Sequence, residues 1–315
     1  MTLHLREMFM SNVEVSKHAD ISLPRGSIVA LITPFMTDGS VDWAKLRSLI
    51  DFHIESGTAA IAVAGTTGES STLSHGEHRD VIAATVEHSA GRIHVMAGVG
   101  ANSTSEAVAL ARSASDCGAD SLLSVVPYYV KPSQQGLIDH FRAQADASTV
   151  PLVLYNVPGR TVTDMSVSTV VRLSEHLNIR GIKDATGDMV RAAELVESLP
   201  AGFALYSGDD FTSLAFMALG GHGVISVVAN VLPRQVSELC RLIETSELKA
   251  ARRLFVQMLP LTRALFAETS PGPVKFAAAL LGRCEPIVRL PLVQPEESTR
   301  RYLEECLQLV IKHAA

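Results

Sequence analysis

The sequence predicts an α/β protein of the (β/α)8-barrel class, a TIM barrel with a C-terminal helical appendage. Three observations carry this. From Gly26 onward, eight short β-branched runs alternate with segments of helical length, and each run is bounded by Gly, Pro, Asn, Asp or Ser. The runs are close to continuously apolar, as parallel strands buried on both faces are, and parallel neighbours need long crossover connections. Eight such units in about 210 residues close into a barrel more naturally than they spread into a doubly wound sheet.

The strands are read at 27–34 (SIVALITP), 59–64 (AAIAVA), 94–99 (HVMAGV), 121–126 (SLLSVV), 151–156 (PLVLYN), 179–184 (IRGIKD), 203–207 (FALYS) and 223–229 (GVISVVA). Between them, 41–55 places Leu46, Leu49, Ile50 and Ile54 on one helix face. The segment 103–117 opens on Ser103 and Glu106 in SxxE spacing, which predicts a capping box. Helices are also read at 133–147, 167–176, 189–199 and 211–219. After the eighth strand come helical segments at 233–245, 248–267, 274–281 and 296–313, more than the last unit of a barrel requires. One should close the barrel and about three should form the appendage. The expected division is a disordered extension at 1–24, the barrel at 25–245 and a helical region at 246–315.

Composition narrows the function classes. The chain has 315 residues, 47% hydrophobic and 19% charged, which excludes disorder for its bulk. Twenty-seven Lys and Arg against 33 Asp and Glu leave a net charge of −6, which argues against nucleic-acid binding. No run approaches the roughly 18 apolar residues of a membrane span. Cys117, Cys240, Cys284 and Cys306 show no CxxC spacing and read as reduced thiols of a cytoplasmic protein. The polar segment 1–24 lacks the apolar core of a secretory signal.

In such a barrel the chemistry sits at the C-terminal ends of the strands. Lys183, near the end of the sixth strand, shares its parity with Ile179, Gly181 and Ala185. It either pairs with a charge at the strand end or points into the barrel mouth. In the mouth, desolvation disfavours the ammonium, and a partly neutral amine is what imine formation requires. Tyr155, at the end of the fifth strand, has the parity of Val153, with Leu152 and Leu154 facing the helices. It is a general acid/base beside the lysine or a core tyrosine. Thr66 and Thr67, set between glycines in GTTGES (65–70), offer hydroxyls and N–H groups to a small carboxylate, or form an ordinary turn.

Other motifs carry less. GTTGES lacks the GK[ST] ending of a phosphate loop, and the GxG at Gly98 and Gly100 is an incomplete dinucleotide fingerprint. His75 and His78 have no third ligand nearby in sequence, so no metal is expected. Asp209 and Asp210 read as turn or helix-cap residues.

Taken together, GSIVALITPF (26–35), GTTGES (65–70), GVGAN (98–102), PYYVKPSQQGL (127–137), YNVPGRT (155–161), GIKDATG (181–187), SGDD (207–210), GGHGVISVVAN (220–230) and PVKFA (273–277) closely resemble the dihydrodipicolinate synthase family, the 4-hydroxy-tetrahydrodipicolinate synthases of the diaminopimelate route to L-lysine. The likeness runs from about residue 26 to the C-terminus. It implies a lyase with class I aldolase-type chemistry in which pyruvate forms an imine with Lys183 and condenses with L-aspartate 4-semialdehyde, without metal or organic cofactor. It implies a proton relay of Tyr155, Thr66 and Tyr129, the last reaching a neighbouring subunit of a homotetramer, a dimer of dimers. It further implies that Thr66 and Thr67 hold the pyruvate carboxylate, Arg160 the semialdehyde carboxylate, and that the Ile225 carbonyl lies beside Lys183. Family members inhibited by L-lysine suggest an effector site at Ser70, Ser71, His75, His78, Asn102, Glu106 and Tyr128. Of these, Glu106 is also explained as a capping-box acid and the histidines as helix-surface residues. One departure from the family pattern, the string from Glu268 to Lys275, is expected not to touch the chemistry. The alternatives are a sister pyruvate-dependent aldolase, which would share Lys183 and Tyr155, and a catalytically silent binding barrel.

Overall fold

The computed structural model describes residues 23–314, with side chains through residue 309. Most of the expected extension at 1–24 lies outside the described residues. Its last two positions belong to the barrel: Leu23 is buried with the inward-facing side chains, and Tyr206 Oη donates to the Pro24 carbonyl at 2.6 Å.

Eight parallel strands form a closed barrel in chain order: β1 (Gly26–Ala30), β2 (Ala60–Val63), β3 (His94–Gly98), β4 (Ser121–Val125), β5 (Leu152–Asn156), β6 (Ile179–Asp184), β7 (Ala204–Ser207) and β8 (Gly223–Ser226). The seam between β1 and β8 is tight. A Cβ on Gly223 would lie 2.1 Å from the Gly26 carbonyl oxygen, so only glycine lets the last strand dock. Several strands stop earlier than expected, β1 at Ala30 and β8 at Ser226, because the chain there leaves the ladder for the site loops.

The core has two layers. Leu152, Leu154 and Ile182 face outward and pack under the helices, while Val153 and Tyr155 point into the barrel, the alternation that a strand demands. Ile179 breaks the expected parity. It lies in the outer layer because the register slips between β5 and β6: Leu152 faces Ile179, but Val153 faces Gly181. The extra residue is Arg180, and a one-residue slip turns every side chain beyond it to the other face.

The helices are α1 (Trp43–Glu55), α2 (His75–Ser89), α3 (Thr104–Asp116), α4 (Gln134–Asp146), the single turn α5 (Pro158–Thr161), α6 (Val167–Ser174), α7 (Met189–Ser198), α8 (Ser213–Ala218), α9 (Pro233–Glu244), α10 (Leu248–Leu265), α11 (Gly272–Leu280) and α12 (Glu297–Ala314). Sequence periodicity places no helix between β2 and β3. The structure has α2 there, with a buried face of His78, Val81, Ile82, Thr85 and Ser89, too polar to read as a core stripe. The capping box expected at Ser103 is absent: the Ser103 hydroxyl bonds to Ser105 at 2.9 Å, and no cap bond forms. A capping box stands instead at α2, where Ser74 and Glu77 bond reciprocally. Helix α9 packs on β1 and β8 and closes the barrel, while α10, α11 and α12 pack on one another as the appendage.

Candidate active site

Strand β6 sets Lys183 level with Tyr155 on one side and Tyr206 on the other. Tyr206 turns to the barrel floor to bond Pro24, and burial pushes its hydroxyl well above the ordinary tyrosine range. Tyr155 therefore shares the mouth with the lysine. Lys183 Nζ lies 4.2 Å from the centre of the Tyr155 ring, and both residues are only 7% exposed. An ammonium over an aromatic face gains electrostatically there. The lysine stem passes Gly208, where a Cβ would sit 2.9 Å from Lys183 Cε and 2.7 Å from the Ala185 Cβ. Any larger residue at 208 would displace the amine.

Two polar anchors set the strand ends, and sequence reasoning missed both partnerships. Asp184 faces away from the mouth, accepts from Arg191 Nε at 2.7 Å, and fixes Thr186 through its N–H (3.1 Å) and hydroxyl. The signal was an acid beside the strand lysine with an arginine seven residues on. Asp210, almost fully buried, accepts from the Ser226 hydroxyl (2.5 Å) and from the N–H groups of Val227 (2.9 Å) and Val228 (3.3 Å). Burial raises its carboxyl above the usual range, and these bonds oppose the rise. It thereby holds the backbone that follows Ile225. Asp209 takes the turn role of the two that were expected, accepting from Thr212 N–H at 3.1 Å and its hydroxyl at 2.7 Å, while α8 carries no side-chain cap.

After β2 the chain turns sharply, with Ala64 at φ 51° and Glu69 at φ 56°. Within the turn, Glu69 N–H donates to Thr66 O at 3.1 Å and Ser70 N–H to Gly65 O at 3.2 Å, while the Thr33 hydroxyl holds Gly68 O at 2.7 Å. Thr66 and Thr67 consequently face a cavity of about 490 Å³ that Lys183, Tyr155 and Ile225 also line. Its other walls are small, Ala30, Ala62, Ala64, Gly98 and Gly100 among them, which is what leaves the space open.

A second cleft of about 1370 Å³ adjoins the first and shares Thr66, Ser70, Gly100 and Val125 with it. Arg160 lines this outer cleft, as do Ser71, His75, His78, Glu106 and Tyr128. Asn102 and Tyr129 line neither. Tyr129 projects outward, 87% exposed, from a backbone at φ 74°. His78 is not the helix-surface residue that was one reading of it. It is buried, with Nε2 at 2.9 Å from Gly98 O, and desolvation holds its imidazole below the ordinary value. His75 is exposed, with Nε2 at 3.9 Å from Glu106. Among the described residues no group of three or more His, Cys, Asp or Glu side chains is placed to hold a metal.

The string from Glu268 to Lys275, expected not to touch the chemistry, lines neither cleft, but it bonds to residues beside them. Arg160 Nη2 donates to Ser270 O at 3.3 Å, and Lys275 pairs with Glu69 inside the GTTGES turn. Nothing local marks either contact, since 110 and 206 residues separate the partners.

The fold and the site define a (β/α)8-barrel enzyme whose mouth is organised around one buried amine. A sequence model of the Dihydrodipicolinate synthetase family matches residues 23–310, and the chain belongs to that family. A 4-hydroxy-tetrahydrodipicolinate synthase of Laribacter hongkongensis (strain HLHK9) is 53% identical over 283 residues, which span 90% of this chain and 97% of that protein. The dihydrodipicolinate synthase of Acinetobacter baumannii, solved in complex with pyruvate, matches with a TM-score of 0.89 at 47% identity, covering 91% of this chain and 98% of that one. The DHDPS of Cyanidioschyzon merolae, solved with lysine bound, matches with a TM-score of 0.87 at 38% identity, covering 90% and 98%. No helix among the described residues is long and apolar enough to cross a membrane.

Proposed function

We propose that the chain condenses pyruvate with L-aspartate 4-semialdehyde through a Schiff base on Lys183. The observation that carries this is the buried Lys183 amine packed on the Tyr155 ring, in a cavity that the Thr66–Thr67 turn also lines. Lys183 adds to the pyruvate ketone, and loss of water gives an imine. The imine draws electrons, a methyl proton leaves, and the enamine carbon attacks the aldehyde. The new aldol product carries its own amine, which displaces Lys183 by attack on the imine carbon and closes the ring. Tyr155, with Thr66 and Tyr129, moves the protons that these steps release and consume. Thr66 and Thr67 hold the pyruvate carboxylate. Arg160, one cleft further out, suits the carboxylate of the second substrate as a planar paired donor. The imine that Lys183 forms with pyruvate is itself the electron sink, so no cofactor enters the scheme. Borohydride added with pyruvate should fix a mass on the peptide containing Lys183; a wild-type enzyme that forms no adduct would refute the reading.

The proposal includes a homotetramer built as a dimer of dimers, in which Tyr129 completes the relay of a neighbouring subunit. Its 87% exposure on one protomer supports this. Tyr129→Phe and Lys183→Ala enzymes, each inactive, should regain activity when mixed and reassembled. In a hybrid pair one site carries neither lesion, so about a quarter of all sites should work at random pairing. Hybrids verified by native mass spectrometry and still inactive would exclude a role across the interface.

The outer cleft is proposed as an L-lysine effector site. Glu106 suits the ammonium and Tyr128 the carboxylate, with Ser70, Ser71, His75 and His78 around them. His78 joins the two clefts, because the Gly98 carbonyl it contacts belongs to the wall of the inner one. Asn102 would contribute only after a local rearrangement. Calorimetry should detect lysine binding at or below about 10 mM, and Glu106→Ala should lose it while still forming the pyruvate adduct. Wild-type protein with neither binding nor inhibition in that range would dismiss the effector site.

A further inference from the structure

The turn that carries Thr66 and Thr67 is fastened from the far end of the chain. Glu69 occupies the left-handed region at φ 56°, ψ 37°, which is unfavourable for a residue with a Cβ, and its side chain is fully buried. One carboxylate oxygen accepts from Lys275 Nζ on α11 at 2.5 Å, and the other accepts from the Arg289 backbone N–H at 2.9 Å. Lys275, also fully buried, makes a second bond to Ile287 O at 2.6 Å and lies 3.9 Å from the centre of the Phe35 ring. The Arg289 guanidinium then donates to Gly39 O at 2.7 Å, Thr72 O at 2.9 Å and the Glu77 carboxylate at 2.6 Å.

Removing two charges from water is costly, and apolar residues of equal volume commonly stabilise such a site as well or better. Stability alone therefore gives a weak reason for a buried Glu–Lys pair here. Geometry gives a stronger one. Bonded at both oxygens, Glu69 cannot turn without stranding an ammonium, and its own N–H is bonded to Thr66 O. The position of the turn is thus tied to α11 and to the strap at 287–289.

We infer that Glu69 and Lys275 are positioning residues, through which the C-terminal appendage holds the Thr66–Thr67 turn at the height where it receives the carboxylate of the first substrate. This deepens the functional reading above, and its kinetic half rests on that reading.

Two variants test it: Lys275→Met, and the double variant Glu69→Gln with Lys275→Met. The first leaves a buried carboxylate without its cation, at a cost that endangers folding; the second removes both charges of the pair and nearly conserves volume, so it keeps the test intact. The double variant should melt within a few degrees of wild type. Its amides at 64–72 should exchange faster by about tenfold or more, while those at 121–125 in β4 stay unchanged. The pyruvate concentration giving half-maximal borohydride-trapped adduct should rise roughly ten- to a hundredfold, with the saturating rate changed less. A purely stabilising pair would lower the melting temperature and leave that half-saturation where it was. Unchanged exchange at 64–72 would overturn the inference, and so would faster exchange with unchanged half-saturation. If wild-type enzyme forms no adduct, the functional reading fails, and the exchange comparison alone still decides whether the pair holds the turn.

Discussion

Lys183→Ala should yield a folded barrel that forms no reducible adduct with pyruvate and turns over at least about ten-thousandfold more slowly. The amine is the only group in the scheme that becomes covalently bonded to substrate, and neither Tyr155 nor the Thr66–Thr67 turn can replace it as the nucleophile that forms the imine. Folding should survive for a geometric reason. Lys183 lines an open cavity at the mouth, so its truncation enlarges space that is already there. Its ladder bonds to β5 and β7 are made by the backbone and stay. The stability change should be within about 2 kcal/mol, against the larger costs of truncations in closed cores. Circular dichroism and thermal melting check the fold, and mass spectrometry after borohydride checks the adduct. A variant that keeps near-wild-type turnover would sink the imine mechanism.

Tyr155→Phe should separate binding from proton transfer. Lys183 Nζ lies over the face of the ring, 4.2 Å from its centre, and phenylalanine preserves that face and most of the packing. The variant should still form the pyruvate imine. It should lose the hydroxyl that relays protons during enamine formation and ring closure, and turnover should fall by about a hundred- to ten-thousandfold. Deuterium exchange into the pyruvate methyl group, followed by NMR, reads enamine formation directly and should slow with turnover. If Tyr155→Phe keeps turnover within threefold of wild type, the hydroxyl has no part in the relay and Tyr155 is a packing residue under the lysine.

Much of the site was legible because strand alternation is a local rule. Val153 and Tyr155 point inward and Leu152 and Leu154 outward, as period two requires. The same rule failed at Ile179, because an extra residue in β6 shifts the register, and nothing in IRGIKD announces it. Lys183 still faces the mouth because the slip lies before it. Helix α2 escaped notice for a related reason. His78, Thr85 and Ser89 line its buried face, so its burial depends on polar partners such as Gly98 O rather than on an apolar stripe. Ser103 and Glu106 have the spacing of a capping box, yet Glu106 faces the outer cleft and the box forms at Ser74 and Glu77.

The sequence by itself determined the fold class, the strand-end positions of the candidate site residues and the family. Hydrophobic period, turn chemistry and short motifs are all properties of neighbouring residues. Only the tertiary structure decided which polar groups meet. Nothing in the sequence pairs Glu69 with Lys275, and closing the barrel under its helical appendage joins them, fully buried, across 206 residues. Likewise only the fold brings the Ser270 carbonyl to Arg160. Such pairings are set by the route of the whole chain, and burial then makes their charges consequential, because a carboxylate or ammonium away from solvent must find a partner.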